Sequence, residues 1–546
     1  MKNKGIIYNF HGAIVAIIFA MLGTLSSCIS NDIPYPVVEL AITNVQGVGF
    51  TMQSVDYGNQ AVTIKLDETT DISNVEITDV TYTPDATLSQ SLIGTFNMQQ
   101  PLEVTLSLYQ SYEWKIIAEQ TIERNFTVQG QVGQAEIDVD NLTATAYVSE
   151  SVDLENITIL ELKLGPEGIT TISPSIDQIT YFETFRTVTI SYYSVVETWR
   201  LYVKTTDVLV SLTQCNLWAN KAILTAAGDS SGSCGFYYRM EGTTVWIEVA
   251  EANIEKNEGQ FSTTVTGLNP NTAYEFKAYS EDNESEIIVG TTEQEVALTN
   301  GGFEEWSKPA TPWLPYLDVE TRYWDTGNTG SAIASINITT PCEDDLRPGT
   351  DGIYSAELSS KKVLVKFAAG NIFTGKYVKT VVTNGIIGFG QPFEQRPTAL
   401  RGWVKYNCGV IDMVGTTSPP GETIISGETS DTGIIYAALG TWTPEEYGYS
   451  SDGEMLGDDQ TPIIIDTRDV STFFNPYSSA VISYGELLLT ESHEEWLEFT
   501  IPLIYNDIET IPTHIVIVAS SSRYGDYFTG STSSTMWIDD FELVYE

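Results

Sequence analysis

The chain of 546 residues has few of the side chains that build metal and redox centres. It contains three histidines and five cysteines, and no two cysteines form a C-x-x-C pair. Zinc and thiol redox sites need such clustered ligands. "HEEWL" (493–497) lacks the second histidine of a zinc protease. "GDSSG" (228–232) is a turn-like sequence without the strand-to-helix context of a serine nucleophile. The sequence therefore argues against zinc enzymes and serine hydrolases.

Basic residues are also scarce, because 26 Lys and Arg stand against 73 Asp and Glu, for a formal net charge of −47. Such a surface repels nucleic acid, and we find no basic stripe that would offset it. We therefore expect no nucleic-acid partner. One phosphate-binding pattern, G-x-x-x-x-G-K, runs from Gly370 to Lys376. Tyr377 replaces the Ser or Thr of a P-loop, and the segment has β character, so we expect no bound nucleotide.

No apolar run is long enough to span a membrane, which takes about 20 residues. The run "AIVAIIFAML" (13–22) follows two lysines, which is typical of an export signal. "LSSC" then resembles the lipobox of bacterial lipoproteins, so we predict a signal peptide over 1–27 and lipidation at Cys28. A linker over 28–35 would follow. These features predict a lipid-anchored protein of the outer membrane, at the cell surface; an ordinary secretory signal is the alternative.

Helical periodicity is absent too, and short alternating runs rich in Thr, Ile, Val and Tyr predict strands throughout. Residues 62–80 align with 144–162, which predicts two repeated sandwiches with Trp114 and Trp199 in their cores. In a third module, Tyr274 fits the tyrosine corner of fibronectin type III domains. We therefore predict an all-β chain with these parts: Ig-like sandwiches over 36–130 and 131–210, a fibronectin type III-like module over 211–295, and one larger unit over 296–546.

Four cysteines follow the export signal. In an oxidising compartment they would be able to form disulfides. Cys215 with Cys234 and Cys342 with Cys408 are the candidate pairs, although the sequence leaves the connectivity open.

Aromatic and charged side chains beside glycines mark candidate ligand-binding residues in 296–546. Sugar rings stack on aromatic faces, and their hydroxyls bond to charged and amide groups. Strand alternation in "LRGWVKYN" (400–407) would place three of these residues on one face. For any single aromatic residue, core packing is the alternative. The candidates are Trp324, Arg401, Trp403, Lys405, Arg523 and Asp526.

Six stretches of the larger unit together resemble the PCMD family, the putative carbohydrate metabolism domain of bacterial surface lipoproteins. They are "NGGFEEW", "YWDTGNTG", "VKFAAGNIFTG", "GQPFEQRPTALRGWVKY", "SSSRYGDYFTGS" and "MWIDDFELVYE". The resemblance implies a jelly-roll β-sandwich similar to carbohydrate-binding modules, with its first and last stretches close together. It assigns no catalytic residue. In similar jelly rolls the corresponding acids bind structural Ca²⁺, which suggests Glu304, Asp539 and Asp540 as ligands.

The leading hypothesis is a lipid-anchored glycan-binding protein that takes part in polysaccharide capture, with three sandwiches as spacers between membrane and jelly roll. A second hypothesis is a glycoside hydrolase that uses two carboxylates. A third is a structural or adhesive surface protein. The acids considered for hydrolysis include Asp412, Asp466, Asp526, Asp539 and Asp540.

Overall fold

The computed structural model describes residues 40–150, 152–257, 259–310 and 312–546. The predicted signal peptide, Cys28 and the linker lie outside these residues. Almost all regular elements in the described ranges are strands, so the all-β prediction is confirmed. The described residues include no helix with the length and apolar character needed to cross a membrane.

The first sandwich packs a three-stranded sheet, in the order β1-β4-β6, against a five-stranded sheet, in the order β2-β3-β8-β7-β5. Alternating apolar side chains from both sheets meet in its core, where Trp114 is 2% exposed. The strands are β1 (Ile42–Gly47), β2 (Phe50–Asp56), β3 (Ala61–Leu66), β4 (Val75–Tyr82), β5 (Thr87–Leu88), β6 (Gly94–Phe96), β7 (Leu102–Ser107) and β8 (Ser111–Gln120).

The second sandwich repeats this topology. Its strands are β9 (Asn125–Val128), β10 (Glu136–Asp138), β11 (Thr143–Ser149), β12 (Ile159–Lys163), β13 (Thr171–Ser173), β14 (Arg186–Tyr192) and β15 (Val195–Thr206), with a 3₁₀ turn at Ile176–Gln178. The sheet order β10-β11-β15-β14-β13 matches β2-β3-β8-β7-β5, and β11 pairs in parallel with β15 as β3 does with β8. Trp199 is buried in the core. β9 pairs with β12, so it belongs to this sandwich, although it precedes the predicted boundary at residue 130.

The third module has the sheets β16-β17-β21-β20 and β19-β18-β22-β23, with β24 beside β22. The backbone amide of Asn269 donates a hydrogen bond to the Tyr274 hydroxyl at 3.0 Å, which forms the predicted tyrosine corner. The elements are β16 (Val210–Leu217), β17 (Lys221–Gly228), β18 (Cys234–Met240), β19 (Ile247–Glu248), β20 (Glu255–Asn257), β21 (Gln260–Thr266), β22 (Ala273–Ser280), β23 (Asn283–Glu284), β24 (Ile288–Thr291) and a 3₁₀ turn at Glu251–Asn253.

The C-terminal unit is a sandwich of two antiparallel sheets around one buried core. Its strands are β25 (Trp324–Asp325), β26 (Thr339–Cys342), β27 (Ser355–Ser359), β28 (Lys361–Val363), β29 (Lys366–Ala368), β30 (Asn371–Val381), β31 (Asn384–Phe389), β32 (Gln391–Pro392), β33 (Ala399–Asn407), β34 (Gly433–Gly440), β35 (Ile463–Asp466), β36 (Val481–Leu489), β37 (His493–Pro502), β38 (Ile504–Tyr505), β39 (His514–Ser520) and β40 (Thr535–Val544).

The larger sheet of this unit runs β35-β31-β30-β39-β34-β36-β38, and the smaller sheet runs β26-β27-β40-β33-β37. β28 and β29 form a separate hairpin. Two short helices, α1 (Asn328–Ser331) and α2 (Pro444–Tyr447), and 3₁₀ turns lie between the strands; the 3₁₀ turns are Val319–Thr321, Ala332–Ala334, Val470–Thr472 and Gly525–Tyr527.

The first and last stretches of the C-terminal unit lie together, as the resemblance implied. The Phe541 amide donates to the Gly301 carbonyl at 2.8 Å, and the rings of Phe303 and Phe541 are 5.2 Å apart. Residues 299–302, at the start of the first stretch, form a turn.

The C-terminal unit contacts both the third module and the first sandwich, and the second sandwich contacts the third module. The Gly133 amide donates to Gly259 between the second and third modules. Arg396 of the C-terminal unit is 3% exposed and forms an ion pair with Glu293 at 2.7 Å. The first sandwich also reaches the C-terminal unit, where Asn475 donates to Asp56 at 3.4 Å. The sandwiches therefore do not form an extended spacer with the C-terminal unit at its far end.

All four described cysteines are free, so neither candidate disulfide forms. Two strands of the smaller sheet, β27 and β40, separate the strand of Cys342 from the strand that ends before Cys408. Neighbouring strands are about 4.8 Å apart, so this separation exceeds the reach of a disulfide. Cys215 and Cys234 lie on opposite sheets of the third module.

Candidate functional site

A cleft with a volume of about 200 Å³ opens on the outer face of the larger sheet. Strands β30, β31, β34 and β39 form its floor, while the β28–β29 hairpin and residues 523–528 form its walls. Most of the lining is apolar. Its aromatic side chains are Phe367, Phe373, Tyr377, Phe389, Tyr436 and Phe528.

The G-x-x-x-x-G-K pattern builds the floor of this cleft as part of a strand. A Cβ at Gly370 would lie 2.3 Å from the Leu358 carbonyl carbon. Gly375 has a φ of +143°, and a Cβ there would lie 2.0 Å from the Gly388 carbonyl oxygen. Both glycines are therefore required for close strand packing. Lys376 forms an ion pair with Asp458 across the surface.

Asp526 presents a carboxylate to the cleft from the 3₁₀ turn Gly525–Tyr527. The side chain is half-buried and has no hydrogen-bond or ion-pair partner among the described residues. Desolvation by burial raises the pKa of this carboxyl to about 6. An unpaired carboxylate in an apolar cleft is an acceptor available to a ligand.

A buried network around Asp431 holds the segment that carries Asp526. Asp431 is fully buried, and its carboxylate accepts hydrogen bonds from the Ser522 hydroxyl at 2.5 Å and the Ser534 hydroxyl at 2.9 Å. The Ser531 amide donates to the same oxygen at 2.8 Å. The Arg523 amide is fixed to the Thr432 carbonyl at 2.7 Å. This network positions Arg523 and Asp526 at the wall of the cleft.

Lys366 is the second cation of the cleft beside Arg523. Its ammonium group donates to the Asn384 side-chain oxygen at 2.6 Å and lies 3.7 Å from the centre of the Phe528 ring. Desolvation by burial lowers the pKa of Lys366. Lys366 was not among the predicted site residues, although the sequence around it has no acids over residues 358–393.

Arg401, Trp403 and Lys405 share the outer face of the smaller sheet, as strand alternation predicted. This face lies on the other side of the sandwich from the cleft, so the structure separates these residues from Arg523 and Asp526. Both cations are already paired, Arg401 with Glu542 and Lys405 with Asp345 at 2.6 Å.

Two further tryptophans complete this outer face. The indole N–H of Trp496 donates to Asp345 at 3.0 Å, and Lys405 lies 5.2 Å from the Trp537 ring. Neither residue was among the predicted site residues, because their strands, β37 and β40, are far from β33 in sequence.

Trp324 lies in the core and offers no face to a ligand. Its side chain is fully buried, its indole N–H donates to the Thr299 carbonyl at 2.8 Å, and its ring packs 5.4 Å from Phe303. This placement corrects its assignment as a sugar contact. Strand alternation could not reveal this, because β25 consists of only two residues.

The three acids suggested as Ca²⁺ ligands lie near one another, and two of them already have protein partners. Asp540 forms an ion pair with Arg347, and the Glu304 carboxylate accepts the Ile353 amide at 3.0 Å. Asp539 is fully buried, and its Oδ2 atom has no partner. Desolvation raises its pKa to about 7, with a further contribution from the charge of Asp540. The described residues contain no group of three or more His, Cys, Asp or Glu side chains arranged to hold a metal ion.

The remaining acids considered for hydrolysis are bonded to protein groups. Asp466 is fully buried and forms an ion pair with Arg468 at 2.6 Å, which holds the pKa of Asp466 well below its usual range. Asp412 accepts the Thr532 amide at 2.9 Å. Among the described residues that line the cleft, Asp526 is the sole carboxylate.

A family model described as "putative carbohydrate metabolism domain" (PCMD) matches residues 302–544. The match includes both sheets of the C-terminal sandwich and all of the cleft. Residues 302–544 are a PCMD domain. The cleft and the Asp431 network belong to this PCMD domain. So does the outer face of the smaller sheet with Trp403, Trp496 and Trp537, which we call the tryptophan face.

No curated protein matches the chain. Among solved structures, a putative glycoside hydrolase from Bacteroides thetaiotaomicron is similar at 18% identity and a TM-score of 0.29, over 78% of this chain and 96% of the other. A putative glycoside hydrolase from Bacteroides vulgatus is similar at 23% identity and a TM-score of 0.31, over 45% and 97%. SGBP-B from a complex xyloglucan utilization locus in Bacteroides uniformis is similar at 11% identity and a TM-score of 0.18, over 85% of this chain and 100% of the other.

Proposed function

We propose that the PCMD domain binds carbohydrate in the cleft on its larger sheet. The observation that carries this proposal is the unpartnered Asp526 carboxylate in an apolar cleft that has two partly exposed aromatic rings, Tyr377 and Phe528. A sugar ring has apolar C–H faces that pack on aromatic rings and hydroxyls that donate to a carboxylate. The cleft supplies both kinds of contact within about 200 Å³. The family description agrees with a carbohydrate ligand.

Binding fits this cleft better than hydrolysis does. Glycosidases generally place two carboxyl groups on either side of the bond that is cut, about 5–9.5 Å apart. Asp526 has no second carboxylate beside it in the described lining of the cleft. The cleft can therefore orient a sugar, but it lacks the acid–base pair of that mechanism.

The test is calorimetric titration of the full-length protein with a panel of plant and microbial polysaccharides. We expect Asp526→Asn to weaken binding about tenfold or more, because it removes a charge-assisted hydrogen bond. Trp403→Ala is the matched control, since it removes an aromatic side chain from the opposite face. If Trp403→Ala lowers the affinity and Asp526→Asn does not, the sugar binds at the tryptophan face and not in the cleft.

The same samples distinguish the two other hypotheses. Release of reducing sugar that Asp526→Asn abolishes would support a glycoside hydrolase. Failure to bind any polysaccharide, together with retention on cells or host proteins, would support an adhesive role.

We also propose lipid anchoring at Cys28, which places the PCMD domain at the outer membrane surface. The support is the lipobox-like "LSSC" after a short apolar run. Incorporation of labelled palmitate into the protein, and its loss with Cys28→Ala, is the expected result. Labelling that persists in Cys28→Ala would refute the anchor site.

Structural Ca²⁺ bound by Glu304, Asp539 and Asp540 remains a proposal. The buried, unpartnered Oδ2 of Asp539 supports it, because a cation would supply the missing partner. Calcium should raise the melting temperature of the EDTA-treated protein but not that of Asp539→Asn. An equal response of both proteins would refute this site.

A further inference from the structure

The cleft lies in a segment whose charge is opposite to that of the rest of the chain. Residues 358–393 contain five lysines and no Asp or Glu, although the chain as a whole has 73 acids and a net charge of −47. The segment includes the β28–β29 hairpin, β30 and β31, which together form much of the cleft. The expectation that no basic cluster offsets the acidic surface is therefore wrong for this one segment.

Two of these lysines are neutralised by protein acids. Lys376 forms an ion pair with Asp458, and Lys379 forms one with Glu454. Both pairs lie away from the lining of the cleft, since none of these four residues contributes to it.

The other three lysines have no acidic partner among the described residues. Lys361 donates to the Asn337 carbonyl at 2.9 Å, and Lys362 is exposed. Lys366 lies in the wall of the cleft, where it bonds to an uncharged amide and loses part of its hydration. A partly desolvated ammonium group without a counter-charge is costly, and an anionic ligand group would lower that cost.

Arg523 adds a cation from the wall formed by residues 523–528, which contacts Lys366 through Phe528. The acid Glu486 near it accepts a hydrogen bond from the Tyr484 hydroxyl at 2.8 Å. Arg523 forms no ion pair within the described chain, so its guanidinium group is available to a ligand. The cleft thus holds two uncompensated cations and one carboxylate.

We infer that the preferred ligand of the cleft is an acidic glycan, one whose sugars carry a carboxylate or a sulfate ester. Lys366 and Arg523 would contact the anionic substituent, while Asp526 would accept a hydroxyl. This inference rests on the proposed carbohydrate-binding function and specifies the class of sugar.

The test compares matched neutral and acidic polymers against the full-length protein by calorimetric titration at low and moderate salt. Dextran and dextran sulfate differ by the sulfate ester, whereas polygalacturonate supplies the carboxylate. Xyloglucan and arabinan are neutral polymers of other composition. We expect at least one acidic polymer to bind about tenfold more tightly than every neutral one, which is about 1.4 kcal/mol. Added salt should weaken this binding.

Charge-removing variants locate the contact. Arg523→Gln and Lys366→Gln should each lower the affinity for the acidic polymer about tenfold. Lys65→Gln carries the same charge change at an exposed side chain of β3 in the first sandwich and should leave the affinity unchanged within twofold. Arg523 has an exposed side chain, so its variant remains informative if Lys366→Gln disturbs the hairpin.

The outcomes separate this inference from the function on which it rests. Equal or tighter binding of neutral polymers, unaffected by Lys366→Gln and Arg523→Gln, would overturn the inference and leave glycan binding intact. If neither class of polymer binds, the proposed function itself is wrong. A loss of affinity in Lys65→Gln equal to that in Arg523→Gln would show that only net charge matters, which also overturns the inference.

Discussion

Replacement of Gly375 by alanine should destabilise the PCMD domain severely. Its φ of +143° lies in a region that residues with a Cβ rarely adopt, which costs about 1–3 kcal/mol. The new Cβ would also lie 2.0 Å from the Gly388 carbonyl oxygen on β31. Moving paired strands apart to relieve such overpacking costs a further 1–3 kcal/mol or so. The free energy of unfolding should therefore fall by roughly 2–6 kcal/mol.

Differential scanning calorimetry measures this change on the full-length protein. For a domain of this size, each kcal/mol shifts the melting temperature by about 2–4 °C, so the PCMD transition should fall by roughly 4–24 °C. Gly349→Ala is the matched control. Gly349 also has a positive φ, +78°, but a Cβ there would meet no atom within 4 Å. Its variant should lose only about 1–2 kcal/mol.

The comparison isolates the contribution of the close strand contact. If Gly375→Ala and Gly349→Ala lower the melting temperature equally, the contact with β31 contributes nothing and this reasoning is refuted. Because β30 also supplies Asn371, Phe373 and Tyr377 to the cleft, Gly375→Ala should also weaken any glycan binding that the native protein shows.

Three further predictions concern other parts of the molecule. Tyr274→Phe leaves the Asn269 amide without its acceptor, so urea unfolding of the third module should show a loss of about 1–3 kcal/mol; an unchanged midpoint would contradict this. Arg396→Ala leaves the largely buried Glu293 without its cation at the contact between the third module and the PCMD domain, so calorimetry should show a loss of about 3 kcal/mol, whereas a shift under 1 kcal/mol would refute the role of this pair. Burial raises the pKa of Asp526 to about 6, above its unfolded value near 4, so the native state binds more protons in that range and stability should fall as pH rises from about 4 to 6. Asp526→Asn should therefore be more stable than the native protein at pH 7–8 and similar to it at pH 4, as thermal melts across this range will show.

Features carried by local pattern could be predicted from the sequence. The repeat at 62–80 and 144–162 produces two sheets of the same topology, and Tyr274 accepts its predicted backbone bond. Alternation in β33 also correctly predicted that Arg401, Trp403 and Lys405 lie on one face. These signals succeed because each depends on residues that are close in sequence or on the period of a single strand.

The cleft could not be predicted in the same way. Its floor depends on the pairing of Asn371 in β30 with Ser520 in β39, which are far apart in the chain. Such non-local register leaves no periodic signal in either strand. Trp324 illustrates the same difficulty, since its neighbours in sequence resemble a glycine-rich binding loop, whereas its burial arises from packing against Phe303 and Phe541.

Partners, and not residue type, distinguish the acids of this chain. With 73 Asp and Glu residues, the presence of an acid at any position carries little information about function. Asp466 is neutralised by Arg468, and Asp431 is enclosed by serine hydroxyls and backbone amides. Asp526 has neither kind of partner, although its burial raises its pKa to about 6. A fold that leaves one carboxylate unpaired in an aromatic cleft, while it satisfies acids close by, has that carboxylate available for a ligand.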